Sequence, residues 1–136
     1  CRAGRRVGSV AENEYENKRT RYQKVAVEAA KQSRRGVLPK VHGLLPFAGL
    51  AYAAYDLLVV LDEEEQVCTL RACLESMPKR PDRIGVVIGP EGGLAREEAA
   101  CLRAAGGRTV TLGKRILRTE TAGMAALAML QYALGE

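Results

Sequence analysis

Three short segments, each able to run as a strand and each followed by a helix-forming stretch, constrain this chain more than any other feature. Leu57-Leu58-Val59-Val60-Leu61 is apolar throughout, and the acidic residues 62–65 then lead into a helix that ends before Pro78. Ile84-Gly85-Val86-Val87-Ile88 repeats the theme, followed by a glycine loop and a helix from Ala95 to Ala105. Arg108–Leu112 is the third strand, followed by a polar loop and a helix from Thr119 to Leu134. Apolar strands separated by helices predict a parallel sheet buried on both sides. The expected class is α/β: a parallel sheet with helices on both faces, as one domain over 1–136.

Two further helices are expected ahead of the first strand. From Asn17 to Ser33, Tyr22, Val25, Ala26, Ala29 and Ala30 recur at steps of three and four, and Gly36 and Pro39 end the run. Lys24, Glu28 and Gln32 form a polar row along its other side. Residues 44–55 read as a second, short helix after Pro46. The closing helix is apolar almost all round, so a polar face is missing and burial on most sides is required. That predicts core packing together with a contact to a second copy.

Charge and cysteine content narrow the function classes. Apolar residues make up 47% and charged residues 27%, which excludes a mainly disordered chain. No apolar run approaches the roughly 18 residues of a membrane span. Residues 1–40 carry eleven Lys/Arg against four Glu, and residues 41–136 carry ten against twelve acids, so the excess of +5 lies at the front. A basic first third on a near-neutral body points to a polyanion such as nucleic acid, or to a solvated helix face. The cysteines (Cys1, Cys68, Cys73 and Cys101) include no C-x-x-C pair, and His42 is the single histidine. No zinc set can be assembled, and Ser-His or Cys-His chemistry is disfavoured. The cysteines read as thiols of a reducing, cytoplasmic compartment rather than disulfides.

Two loops carry the chemistry. Ile88-Gly89-Pro90-Glu91-Gly92-Gly93-Leu94 sits where a parallel strand gives way to a helix, the end at which open α/β sheets bind ligands. It is neither a G-x-G-x-x-G fingerprint nor a phosphate loop, which weakens a flavodoxin-like reading. Leu112-Gly113-Lys114-Arg115-Ile116-Leu117-Arg118-Thr119-Glu120-Thr121-Ala122 lies at another strand's carboxyl end, so both loops can line one crevice. Its apolar residues suit an adenosine and its charged ones a second substrate, while Thr119 or Thr121 can cap the last helix.

These two segments, with Tyr22–Arg35 and Pro39 before them, resemble the RsmE-type ribosomal RNA methyltransferases of the SPOUT class. The resemblance implies an α/β fold with a trefoil knot at the C-terminus, and S-adenosylmethionine as methyl donor. It implies N3 of a uridine in 16S ribosomal RNA of the small subunit as acceptor, and a homodimer with no metal. The cofactor residues it implies are Gly89, Pro90, Glu91, Gly92 and Gly93 on one loop, and Leu112, Gly113, Ile116, Leu117, Arg118, Thr121 and Ala122 on the other, with Leu61 as a third wall. Arg118 is expected to stabilise the developing uracil anion. Glu120 is expected to accept its proton or else to serve as a first-turn helix carboxylate. Lys24, Glu28, Gln32, Arg34 and Arg35 are expected to face RNA or to form a solvated helix face. Members of this class begin with a β-barrel RNA-binding domain and a strand–helix unit, neither of which is evident ahead of residue 17. These 136 residues are therefore expected to be weak or inactive alone, or to serve only as an RNA-binding or dimerisation module.

Overall fold

The computed structural model of the protein describes residues 12–45, 47 and 51–135. They fall into two compact units, 12–47 and 51–135, considered separately below.

The first unit is one long helix and the chain that returns along it. Helix α1 spans Glu12–Gln32, starting earlier than its apolar pattern suggested. The side-chain amide of Gln23 grips the returning segment twice, donating to the Pro39 carbonyl and accepting from the Val41 N–H, each at 2.8 Å. The Tyr15 hydroxyl donates to the His42 carbonyl at 2.8 Å. The helix ends through Arg34, which takes a left-handed φ of 58° where glycine is usual, while the Arg35 N–H closes back on the Ala30 carbonyl at 2.9 Å.

The second unit holds the sheet. Strands β1 (Leu57–Leu61), β2 (Ile84–Ile88) and β3 (Arg108–Val110) are all parallel, in the order β2-β1-β3. Leu57 pairs with Ile84 and Leu61 with Ile88, while Leu61 also pairs with Val110. Helices α2 (Leu70–Glu75), α3 (Arg96–Ala104) and α4 (Thr119–Leu134) alternate with the strands. Side chains alternate across a strand, and both sides of β1 are buried. Leu57 and Val59 join Leu70 and Cys73 of α2, Val110 and Leu130 of α4 in one cluster. On the other side Val60 lies near the end of α3, where Leu102 has no exposed surface. This is the expected parallel α/β sheet with helices on both faces.

Three expectations are corrected. The described residues do not form the α-helix expected over 44–55: residues 44, 45 and 51 have no helical structure, and Phe47 and Tyr52–Ala54 are in 3-10 conformation. Positions 46 and 48–50 lie outside the described residues. Asp56 explains part of the difference, because its carboxylate accepts from the Asp82 and Arg83 N–H groups at 2.9 and 3.0 Å and turns the chain directly into β1. The third strand stops at Val110, opposite the last residue of β1. Beyond it Thr111 bridges to Thr69 instead. Cys68 and Cys73 are free thiols, but Cys101 is disulfide-bonded. Spacing along the chain does not reveal which cysteines pair.

Candidate functional site

Because all three strands are parallel, their carboxyl ends lie at one edge of the sheet, and the loops leaving them enclose a cleft of about 610 Å³. That is within the usual range for small-molecule sites. Its apolar floor comes from the strand ends Leu61, Ile88 and Val110. Three loops form its walls, beginning at Asp62, Gly89 and Thr111.

The loop after β2 is shaped by two consecutive glycines, Gly92 and Gly93, at φ of 88° and 83°. Side chains rarely adopt this conformation. The Gly93 N–H donates to the Pro90 carbonyl at 3.0 Å, closing the turn. Ala95 supplies no side-chain cap to α3, but the Glu98 carboxylate accepts from the Ala95 N–H at 3.1 Å and replaces half of a capping box. Glu97 and Glu98 also favour the positive end of the helix.

The loop after β3 is fixed at its base. The Thr111 hydroxyl donates to the Gly113 carbonyl at 2.8 Å and accepts from the Gly113 N–H at 3.2 Å. The loop ends at Arg118, which occupies the N-cap of α4 without a side-chain cap. Thr119 therefore does not cap the helix as expected. It is the first helical residue, and its hydroxyl donates to the Gly89 carbonyl at 3.4 Å, tying the two loops together. Thr121 lies in the first turn and is not the cap either.

The loop after β1 is the wall that sequence reasoning passed over. Asp62, Glu63, Glu65, Gln66 and Thr69 line the cleft there. Glu65 organises it, accepting from the Val67 and Cys68 N–H groups at 2.9 and 2.8 Å and from the Thr109 hydroxyl at 3.3 Å. The Cys68 and Val67 N–H groups, in that order, hold its carboxyl below the usual carboxylate range. By pattern alone the acidic run 62–65 reads only as a lead into the next helix; its position at a strand's carboxyl end is the signal that marks it as a cleft wall.

Residues 2–131 match the family of RNA methyltransferase domains. The chain belongs to this family. It is 38% identical to "Ribosomal RNA small subunit methyltransferase E" of Bacillus subtilis, over 96% of this chain and 53% of that protein. The protein of the same name from Mycobacterium bovis is 37% identical over 79% of this chain and 42% of its own length. A crystal structure of a ribosomal RNA small subunit methyltransferase E from Neisseria gonorrhoeae bound to S-adenosyl methionine is also similar. It superposes with a TM-score of 0.68 at 32% identity, over 87% of this chain and 48% of that one. The chain thus spans about half the length of the relatives it matches.

Within this RNA methyltransferase domain, the cleft brings together Leu61, Gly89, Pro90, Gly93, Leu112, Gly113, Ile116, Leu117 and Ala122. Glu91, Gly92, Arg118 and Thr121 belong to the same loops but do not line it. Arg118 and Glu120 are both exposed beside it, at the start of α4. Lys114, Arg115 and Thr119 line the cleft although they were not singled out as cofactor residues. In the first unit, Lys24, Glu28 and Gln32 form an exposed row on α1, and Arg34 and Arg35 follow in its terminal turn. Glu28 pairs with Lys31 at 3.5 Å, the solvated-face arrangement. No group of His, Cys, Asp and Glu among the described residues is arranged to hold a metal ion, and no described helix is long and apolar enough to cross a membrane.

Proposed function

We propose that this chain is the cofactor-holding domain of an S-adenosylmethionine-dependent methyltransferase of the cytoplasm. Its proposed acceptor is N3 of a uridine in 16S ribosomal RNA, within the small subunit. The observation that carries this reading is the three-loop cleft at the carboxyl edge of a parallel sheet, in a chain belonging to the RNA methyltransferase domain family. The cleft fits the donor on its own geometry. Gly113, which lines the cleft, has nothing within 4 Å of where a Cβ would stand, so its backbone is open to a ligand. Leu61, Ile88, Leu112 and Leu117 offer apolar surface to an adenosine, and the threonines and backbone amides offer polar contacts.

When bound, S-adenosylmethionine supplies an electrophilic methyl group on a sulfonium. The remaining work falls to the protein. The loops hold donor and acceptor in line, chiefly a matter of positioning. Arg118, exposed at the mouth of α4, stabilises the negative charge that develops on the uracil. Glu120, in the first turn of the same helix and equally exposed, accepts the N3 proton. The target base must leave its stack to reach them, and the basic residues of α1 supply phosphate contacts.

The exposed apolar face of α4, with Met124 at 68%, Leu127 at 62% and Tyr132 at 94% exposure, supports a homodimer formed through this helix. The SPOUT-class resemblance supports a knotted passage of α4. Because the relatives are about twice as long, RNA reading is assigned in part to residues outside the matched half. These 136 residues should therefore bind the cofactor more readily than they methylate RNA.

Calorimetric titration tests the reading. Heat on mixing with S-adenosylmethionine is expected, and its absence at millimolar concentrations would leave an RNA-binding or dimerisation module of the same fold. Leu127→Glu should convert a dimer to monomer in sedimentation. An unchanged mass would remove α4 from the interface.

A further inference from the structure

The acids on the cleft wall are not equivalent. Asp62 accepts from the Glu64 N–H at 3.0 Å, and Glu65 is committed to the Val67 and Cys68 N–H groups and to Thr109. Those bonds shape the loop. Among the described residues, Glu63 makes no side-chain hydrogen bond or ion pair, yet it lines the cleft. One of its carboxylate oxygens stands 3.7 Å from the position a Cβ would occupy on Gly93. The carboxylate thus reaches from the loop after β1 to the loop after β2. Gly93 presents no side chain at that approach, and Glu63 itself is exposed. The basic lining residues, Lys114 and Arg115, belong to the third loop.

We propose that Glu63 is the counter-charge for the cationic part of the cofactor, so that the cleft prefers a positively charged adenosyl donor over an uncharged thioether nucleoside. The proposal rests on the cofactor reading above. An opposite charge within about 4 Å at a solvated site is worth a factor of about five in affinity, and more as water is excluded.

The test compares the unsubstituted chain with Glu63→Gln, titrating three ligands. S-adenosylmethionine carries a sulfonium and an ammonium, S-adenosylhomocysteine carries the ammonium alone, and 5′-methylthioadenosine carries neither. Glu63→Gln should weaken S-adenosylmethionine about three- to tenfold and leave 5′-methylthioadenosine unchanged. If S-adenosylhomocysteine weakens in parallel, the ammonium is the partner. If it is unaffected, the sulfonium is. Either result supports the proposal. Glu63→Asp should retain affinity within about twofold and Glu63→Lys should lose more than the Gln variant, with all effects shrinking as salt rises. Thermal midpoints should be unchanged, since the side chain makes no bond in the fold. Equal weakening of 5′-methylthioadenosine, or no change in any ligand, would overturn the role of Glu63. Failure of the unsubstituted chain to bind S-adenosylmethionine would instead strike the cofactor reading itself.

Discussion

Gly123 lets α4 lie against the end of β2: a Cβ added there would stand 3.0 Å from Cδ1 of Ile88. Ile88 is also a floor residue of the cleft, so the packing of the last helix and the width of the site are coupled.

Gly123→Ala tests that coupling. The helix gains about 1 kcal/mol from replacing an interior glycine, while the terminal methyl of Ile88 must give way by a few tenths of an ångström. The two effects should nearly cancel in thermal denaturation. Ile88→Val removes the obstructing methyl, so Gly123→Ala made on that background should be stabilising. Simple additivity of the two substitutions would show that the contact carries no energy.

Gly92→Val is expected to destabilise through backbone strain alone. Nothing stands within 4 Å of the Cβ position, but φ is 88°. A β-branched residue there costs about 1–2 kcal/mol or more, whereas Gly92→Asn should cost less because Asn tolerates left-handed backbone. Denaturant midpoints for the pair check this. Equal costs would mean that space, not φ, sets the requirement.

Arg118→Ala should leave the affinity for S-adenosylmethionine within a few-fold, since Arg118 does not line the cleft. Methyl transfer to small-subunit RNA should fall about a hundredfold, the scale of losing one transition-state charge stabiliser. Isotope-labelled methyl incorporation in the intact enzyme measures it. Parallel loss of binding and transfer would make Arg118 a cofactor residue instead.

Acid should loosen the second unit through two carboxylates. Backbone N–H groups hold both Asp56 and Glu65 below their ordinary values, from Arg83 and then Asp82 for the first, and from Cys68 and then Val67 for the second. A depressed folded value means that the stabilisation is complete above about pH 4.5, the ordinary range, and is lost as pH falls through the folded values. Asp56→Asn and Glu65→Gln should each flatten the acid limb of the midpoint-against-pH curve. A slope unchanged from that of the parent would refute the assignment.

The sheet could be read directly from the chain because five consecutive apolar residues at 57–61 suit a central parallel strand, which is where β1 lies. The glycine loop was readable for a related reason, since a strand end followed by glycines has few other uses. The apolar stretch after residue 44 misled. Its neighbours are held extended by the side chains of Gln23 and Tyr15, from more than a dozen residues away, and periodicity does not register such bonds. Glu63 and Glu65 were hidden for the same reason. Their roles depend on Gly93 and Thr109, and those proximities exist only once the strands are aligned.

The bridge between Thr69 and Thr111 has a mechanical consequence. The Thr111 N–H donates to the Cys68 carbonyl at 2.8 Å and the Leu70 N–H donates to the Thr111 carbonyl at 3.2 Å, so the acidic wall is laced to the base of the basic loop. Parting the two walls at this level would cost both bonds of the short ladder, whereas residues 113–118 lie beyond it and are not tied by it.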